Sequence, residues 1–312
     1  FRTPRSGLRI EGRMICDGDL LPEGSDPGTT IEMTSLSDYL IREGTDSLPD
    51  FEAAGGGGSS LFEAGLWEII LTSDLSTTSD LFEITAVTWS GISYRNLTTP
   101  SLLKGTTIHY ANTGVDCLSV DQQHLTIQQC FIENNHTGIL LQNSSPKILE
   151  NQEISYSLLK QEGGTVVRSS GHGIYMRFGS NPLIRGNTFR ANAGHAIFID
   201  DFGVVNASRP LLGDLSEPKE SPNDGLNVFR VEINPLTGRR IGQRHLFNGS
   251  INTIIAQRNY WQTTSGKPDI DGSYIYDDDE DMTLGEVIFL PMLPNPDDTR
   301  TAVEPGRWSQ YR

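Results

Sequence analysis

Two short segments of this 312-residue chain hold side chains that could carry acid–base chemistry. His172 lies between Gly171 and Gly173, and Asp200 is followed directly by Asp201. Hydrolysis of a glycosidic bond uses two carboxyl groups, one to protonate the leaving oxygen and one to activate water or attack the sugar. The two segments are therefore candidates for acid–base catalysis, of which glycosidic-bond hydrolysis is one example, provided that the fold brings them together.

The strands that must position these residues come from a short repeated pattern, a small residue followed by an aliphatic one. The five copies are Gly91-Ile92, Gly114-Val115, Gly138-Ile139, Gly173-Ile174 and Ala196-Ile197. The steps between their aliphatic residues are 23, 24, 35 and 23. A period near 23 with one insertion of about a dozen residues predicts a solenoid of β-rungs, because each rung needs neighbours to cover its apolar interior.

A second pattern places asparagine at a recurring position after the next strand. The spacing of Ile127, Cys130, Ile132 and Asn135 is repeated in Ile184, Asn187, Phe189 and Asn192. Asparagine tolerates left-handed backbone, and its side-chain amide can bond equivalent residues in the rungs above and below. We therefore expect left-handed asparagine corners joined in a ladder, from which Cys130 departs.

Two segments resemble a known family. Residues 182–189 (Pro-Leu-Ile-Arg-Gly-Asn-Thr-Phe), with Asn192 and Ala196-Ile197, are similar to a rung of the right-handed parallel β-helix repeat proteins, which share the pectate-lyase-like solenoid. Residues 252–261 resemble the final rung of many bacterial extracellular members. The resemblance implies an all-β, right-handed parallel β-helix with rungs of about 23 residues and loop insertions. It implies little about activity, because the same solenoid serves lyases, hydrolases, adhesins and inert scaffolds.

On this interpretation residues 1–293 form a single parallel β-helix, and residues 294–312 are a Pro-rich tail or a linker to a following segment. The chain starts at Phe1 in what resembles the middle of a β-rich body, so we expect it to belong to a longer protein. The predicted subdivisions are irregular rungs over 8–84, regular rungs over 85–201, a long loop over 203–225 and closing rungs over 226–293.

Position within the rung predicts which side chains face outward. If the aliphatic residue of each repeat points inward, Leu140, Tyr175 and Phe198 form an outward apolar stripe over three rungs. Such a stripe could bind a sugar or a protein, because aromatic faces take up the apolar faces of pyranose rings. Equally, the 157–170 insertion or the 203–225 loop could fold over the stripe and bury it.

The same positions argue against the sharpest enzymatic interpretation. Polygalacturonases of this fold use a Gly-His-Gly and an Asp-Asp pair, but their carboxylates lie before a strand and one rung earlier than the histidine. Here Asp200 and Asp201 follow a strand and lie one rung later than His172. We therefore expect His172 to be a polar corner residue, with His195 at the same position one rung further on.

A lyase of this fold is an alternative. Such an enzyme needs acidic Ca²⁺ ligands beside an arginine base, and Arg177 near Asp200 and Asp201 could supply these groups. An arginine stacked over an aspartate one rung away is more simply a cross-strand ion pair. The candidate ligand surface on the outer face consists of Leu140, Tyr175, Arg177, Phe198, Asp200, His172 and His195.

Composition limits the range of partners. The net charge is −16, with 40 acidic residues against 24 basic ones, which argues against a nucleic-acid partner because phosphates require clustered cations. The sequence holds no apolar run long enough to span a membrane. Cys16, Cys117 and Cys130 lack the spacing of a disulfide scaffold or a zinc site, and Cys117 is expected to be a buried free thiol.

An acidic run near the C-terminus could bind Ca²⁺. Its spacing does not match the EF-hand loop, and a solvated acidic turn is the simpler interpretation. The candidate ligands are Asp269, Asp271, Asp277, Asp278, Asp279 and Asp281.

Together these features favour a secreted or cell-surface β-helix, a structural or adhesive module of a larger protein. Its partners would be glycans or other extracellular proteins, including copies of itself joined end to end, because open solenoid ends expose unpaired strand edges. The alternative is a polysaccharide lyase or glycoside hydrolase acting on an acidic polysaccharide. Its groove would lie at Tyr175, Arg177, Phe198 and Asp200.

Overall fold

A computed structural model describes residues 8–9, 13–16, 31–34, 91–162, 165–216, 223–234 and 238–296. The regular elements in these ranges are 26 β-strands, numbered β1 to β26 in chain order. Residues 35–90 of the predicted rungs, and the tail from residue 297, lie outside the described residues, so the predicted domain boundaries stay predictions. Twenty of the strands stack into three parallel sheets.

Sheet 1 carries the repeated small-then-aliphatic pattern. Ile92, Val115, Ile139, Ile174 and Ile197 pair in unbroken parallel register and are fully buried, as the pattern predicts. The strands of sheet 1 are β2 Arg13–Cys16, β4 Gly91–Arg95, β7 Thr113–Leu118, β10 Thr137–Gln142, β15 Ile174–Arg177, β18 Ile197–Ile199, β22 Leu246–Asn248 and β25 Ile275–Tyr276.

Each rung continues from sheet 1 through sheet 2 and sheet 3 before it returns one level higher. Sheet 2 contains β5 Ser101–Lys104, β8 Leu125–Gln128, β11 Lys147–Leu149 and β16 Leu183–Arg185. Sheet 3 contains β1 Leu8–Arg9, β3 Ile31–Thr34, β6 Thr106–His109, β9 Phe131–Glu133, β12 Glu153–Ser155, β17 Thr188–Arg190, β19 Val228–Arg230 and β24 Tyr260–Trp261.

Three two-stranded pairs complete the structure. Strands β13 Gln161–Glu162 and β14 Thr165–Val166 form an antiparallel hairpin inside the predicted insertion. Strands β20 Glu232–Ile233 and β21 Arg240–Ile241 form a second antiparallel hairpin, which the sequence pattern did not predict. Strands β23 Ile254–Ile255 and β26 Val287–Ile288 pair in parallel.

The core is a stack of like residues. The rings of Phe189, Phe229 and Trp261 lie face to face at 4.8 and 4.1 Å between successive centroids. Cys117 is fully buried as a free thiol, as predicted, and so is Cys130. Burial raises the pKa of Cys130 to about 12, so its thiol stays protonated and acts as a small apolar side chain.

A buried asparagine ladder joins the corners between sheet 2 and sheet 3. Asn151, Asn187, Asn227 and Asn259 each accept, on the side-chain oxygen, a bond from the backbone N–H of the residue one rung earlier. Cys130 donates the first of these bonds, to Asn151. The ladder satisfies the polar groups of a corner that water does not reach.

The expected left-handed conformation is not at these asparagines. It is at the residue before each of them, because the asparagine side chain must point inward to reach its neighbours while the preceding residue makes the bend. The residues with φ between 52° and 68° at this corner are Gln129, Glu150, Gly186, Leu226 and Arg258.

Part of the predicted 203–225 loop belongs to the solenoid. Leu211 pairs in parallel with Leu183 of β16, and Leu212 is fully buried in the core. Asn223 and Gly225 also bond back to the helix, Asn223 to Gly213 and Gly225 to Gly186. These contacts extend sheet 2 beyond β16 by an irregular segment rather than a regular strand.

Candidate functional site

The outward stripe of sheet 1 is longer than the sequence pattern predicted. Leu140, Tyr175 and Phe198 pair in register, and the column continues through Phe247 and Tyr276. Successive rings from Tyr175 onward lie 5.6, 4.9 and 4.5 Å apart between centroids. We call these five residues the aromatic stripe.

The middle of the aromatic stripe is covered. Tyr175 is 3% exposed and Phe198 is 5% exposed. Arg168, from the 157–170 insertion, places its guanidinium 5.7 Å from the Phe198 ring centroid and pairs with Asp200 at 2.9 Å. The structure therefore has the second alternative for this stripe, in which the 157–170 insertion folds over it and buries its middle residues.

Two histidines complete the cover. His172 stacks on Phe198 at 4.5 Å and on His195 at 5.4 Å between centroids. Its Nε2 bonds the Arg168 carbonyl, and its Nδ1 accepts the backbone N–H of His195. This pattern requires a neutral ring, and burial lowers the pKa of His172 to about 4 and that of His195 to about 3. Both are corner residues, as expected from their positions.

Asp200 takes a different partner from the one predicted. The predicted Arg177–Asp200 pair is wrong, because the insertion brings Arg168 closer to Asp200. The Tyr175 hydroxyl also donates to Asp200 at 2.6 Å, and burial together with this carboxylate raises the pKa of Tyr175 to about 12. Arg177 donates instead to Gln142 at 2.6 Å.

Arg177 belongs to a polar ladder that crosses four rungs. Gln142 donates to Asp116 at 3.3 Å, and Asp116 pairs with Arg95 at 3.1 Å. The ladder of Arg95, Asp116, Gln142 and Arg177 therefore links the strands of sheet 1 side by side. Each charged side chain of this ladder therefore bonds a side chain on a neighbouring rung.

Asp201 is a structural residue. It is fully buried and accepts backbone N–H groups from Phe178 at 2.5 Å and Ser208 at 2.6 Å, with a longer contact from Gly179. The Asp200 side chain lies on the outer surface, whereas the Asp201 carboxylate stabilises the corner after sheet 1 through these hydrogen bonds. The two adjacent carboxylates therefore have separate partners and do not form an acid–base pair across a cleft.

Comparison with known proteins gives one match. A family model described as "Right handed beta helix region" matches residues 69–210. The described residues within this match, from residue 91 onward, stack as parallel rungs, which agrees with that description. No curated protein and no solved structure matches the chain. The parallel register of β19, β22, β24 and β25 continues the right-handed β-helix beyond the matched region.

The acidic segment of this β-helix does not assemble as a Ca²⁺ site. Asp269 accepts bonds from Ser273 and Tyr274, Asp277 accepts the Val287 N–H at 2.8 Å, and Asp281 caps its own turn. Within the described ranges no group of three or more His, Cys, Asp or Glu side chains could hold a metal ion. The described residues therefore agree with the simpler interpretation, an acidic turn, and do not gather Asp269, Asp271, Asp277, Asp278, Asp279 and Asp281 into one set of ligands.

Two exposed aromatic residues at the edge of the aromatic stripe escaped the sequence analysis. Phe178 is 53% exposed and Phe202 is 44% exposed, and they follow the neighbouring strands β15 and β18. The Arg177 guanidinium lies 4.8 Å from the Phe178 centroid, and that of Arg168 lies 5.0 Å from the Phe202 centroid. We call these four residues the aromatic–arginine rim. The signal for it was present, since each phenylalanine stands just past a strand end.

No helix in the described part of the chain is long and apolar enough to cross a bilayer.

Proposed function

We propose that this β-helix is a structural and adhesive module of a larger extracellular protein, and that it holds glycans on the aromatic–arginine rim. The observation that carries the proposal is the pairing of two exposed phenylalanines with two arginines packed on their faces. An exposed aromatic ring beside a guanidinium offers a ligand an apolar face and a charged hydrogen-bond donor at the same place.

The chemistry of the aromatic–arginine rim suits an acidic sugar. Phenylalanine faces take up the apolar faces of pyranose rings, and guanidinium groups bind carboxylates with two parallel N–H···O bonds. Arg168 is 62% exposed at its side chain, so a ligand can reach it without displacing the insertion. The surrounding protein carries a net charge of −16, which makes local cations necessary for an anionic glycan.

The scaffold role is supported by how the outer face of sheet 1 uses its polar groups. The polar ladder links four rungs, Asp201 fastens a corner, and Asp200 is occupied by Tyr175 and Arg168. The polysaccharide lyase or hydrolase stays the alternative. It would require Arg177 and Asp200 to exchange these partners for a substrate.

The test is binding to immobilised uronic-acid oligosaccharides and to neutral oligosaccharides of the same length. The double variant Phe178→Ala/Phe202→Ala is expected to weaken uronate binding by about tenfold or more, since each exposed stacking contact contributes roughly 1 kcal/mol. The matched control is Ile270→Ala/Met282→Ala, which removes two exposed apolar side chains elsewhere.

Equal binding by the double variant and the control would contradict the proposal. Assays for reducing sugar and for unsaturated product, run over the same panel, address the alternative. Turnover that is lost in Arg177→Ala would replace the adhesive function with an enzymatic one.

A further inference from the structure

A pocket lined by arginines lies at the corner between sheet 3 and sheet 1, away from the aromatic–arginine rim. Its cavity volume is small, about 20 Å³, and it opens to solvent on one side. Its walls are the end of β17, the end of β19, the β20–β21 hairpin and the segment before β22. The lining includes Arg190, Arg230, Arg240, Arg244 and His245, and no carboxylate among the described residues. We call it the arginine pocket.

The first pair of arginines is stacked by the solenoid itself. Arg190 and Arg230 occupy directly opposite positions on the neighbouring parallel strands β17 and β19. Like charges in this arrangement raise the free energy of the sheet. Arg190 is compensated by Glu153 at 3.0 Å, and the charge of Glu232 also acts on it. Arg230 is exposed and forms no ion pair with any residue in the described ranges.

The second pair comes from the hairpin and the segment that follows it. Arg244 is compensated by Glu280 at 2.8 Å. Arg240 is half-buried, packs 4.4 Å from the Tyr274 ring centroid and donates its Nε to the Gly242 carbonyl. These contacts of Arg240 are with neutral groups, and burial lowers its pKa.

The nearest carboxylate on the Arg240 side is already occupied. Asp269 acts on the charge of Arg240, but its oxygens accept bonds from Ser273 and Tyr274. Two of the four cations, Arg230 and Arg240, therefore have no carboxylate in direct contact among the residues that the structure describes. A pocket with uncompensated positive charge, in a protein of net charge −16, has a surplus that an anion can neutralise.

The hairpin wall of the arginine pocket is fixed in place. Gln243 donates its backbone N–H to the Gly194 carbonyl at 2.8 Å. Gly242 has φ of 87°, and a Cβ there would lie 2.2 Å from the Asn192 carbonyl oxygen, so only glycine allows this approach. The backbone that carries the arginines on the two sides is thus held in place before any ligand arrives, which lowers the entropy cost of binding.

We propose that the arginine pocket binds an oxyanion, a sulfate, phosphate or carboxylate group, with Arg230 and Arg240 as its main donors. Guanidinium groups are planar and present paired N–H donors that match two oxygens of such a group. The cavity is small and open to solvent, so it suits a single anionic group whose attachment extends outward rather than an enclosed polymer. The group is either a free ion or the anionic substituent of a glycan. The proposal is independent of the aromatic–arginine rim.

The experiment is calorimetry of the full chain with sodium sulfate, sodium phosphate and sodium galacturonate, against sodium chloride at equal ionic strength. We expect saturable binding of at least one oxyanion and none of chloride. Arg230→Gln is expected to weaken that binding by about fivefold or more, since hydrogen bonds to a charged group are stronger than those between neutral groups. Arg230→Lys keeps the positive charge but loses the paired N–H donors of the guanidinium group. Its affinity for the oxyanion is expected to lie between those of the parent protein and Arg230→Gln.

Arg209→Gln is the control, because it removes an equally exposed arginine outside the pocket. Arg240→Gln should reduce binding further, and its circular dichroism is compared with that of the parent because Arg240 also packs on Tyr274. Arg230 is exposed, so its substitution keeps the test valid even if the Arg240 variant unfolds.

A sulfated disaccharide distinguishes the two sources of the anion. Binding about tenfold tighter than that of free sulfate assigns the pocket to a glycan substituent, while equal affinity assigns it to the free ion. Binding that is unchanged in Arg230→Gln, or that chloride reproduces at equal ionic strength, overturns the proposal.

Discussion

The aromatic stripe and the arginine pocket are both built from like residues on neighbouring rungs, but they differ in how far an insertion covers those residues. Each begins with like residues at the same position on neighbouring rungs, Tyr175 and Phe198 in one case and Arg190 and Arg230 in the other. The 157–170 insertion covers the aromatic stripe, whereas the β20–β21 hairpin forms a wall beside the arginines and leaves them accessible. Position within the rung decides which side chains face outward, and insertions decide which of them meet solvent.

The physical reason is that burial changes the free energy of the aromatic rings and of the arginines in opposite directions. Stacked aromatic rings lower the free energy of the protein when water is removed from them. Stacked arginines would raise it, because a covered guanidinium needs a carboxylate or an anionic ligand to replace its hydration. The same solenoid can therefore close over one column and stay open over the other.

The largest expected effect tests whether the aromatic stripe is closed. Phe198→Ala should destabilise the protein by about 3–5 kcal/mol, because the ring is 5% exposed and stacked on His172, Tyr175 and His195. Phe178→Ala, at an exposed ring, should cost less than about 1 kcal/mol. Urea unfolding measures both. Similar costs for the two variants would mean that the stripe is not the buried region described.

The next effect tests the histidine cover through pH. Folding lowers the pKa of His172 from 6.5 to about 4, so the unfolded chain binds more protons between these values. Stability is therefore full above pH 6.5 and falls as pH decreases toward 4, by roughly 3 kcal/mol for this residue. His172→Phe keeps a ring without the titration and should flatten the slope in unfolding measured from pH 7 to pH 4.

The slope will not vanish in His172→Phe, because burial also lowers the pKa of His195 to about 3 and of His245 to about 4. The control is Phe247→His, which adds a ring nitrogen to the aromatic stripe and should steepen the slope. Parallel pH profiles for the parent protein and His172→Phe would show that His172 is accessible to protons in the folded state.

The smallest effect separates charge from packing in the cover. Asp200→Asn keeps an acceptor for the Tyr175 hydroxyl and loses the charge that attracts Arg168, so it should cost about 1 kcal/mol. Asp116→Asn, which weakens the pair with Arg95 on the same face, should cost a similar amount. A markedly larger cost at Asp200 would indicate that the ion pair, and not the rings, closes the stripe.

The regular part of this fold could be predicted from sequence because a solenoid repeats its contacts. The step near 23 gave the register of sheet 1, and the spacing of Asn187 to Asn192 indicated a ladder of buried amides. The position of the left-handed residue could not be predicted in the same way. Spacing fixes the asparagine side chain in the ladder but does not say which neighbour makes the bend.

The candidate sites were harder to predict because they depend on segments outside the repeat. The partner of Asp200 is Arg168 in the insertion, Arg240 lies in the unpredicted β20–β21 hairpin, and Arg244 follows that hairpin. Position within the repeat therefore predicts none of these three residues. Phe247 extends the aromatic stripe, but the irregular segment before it breaks the repeat, so its position within the rung could not be read from the sequence. The repeat predicts where the strands lie, whereas the irregular segments provide the side-chain contacts at the candidate sites.

The corners of the solenoid have a consequence for protein engineering. Ser157 and Asn192 bond as equivalent corner residues of adjacent rungs although 35 residues separate them, and Ile154 still pairs with Phe189 in register. The number of residues between these corners is therefore free to vary while the rung above stays in place. A foreign peptide grafted between residues 158 and 170 would be displayed on a rigid support, and the length of the graft would set how much of the surface beneath it is uncovered.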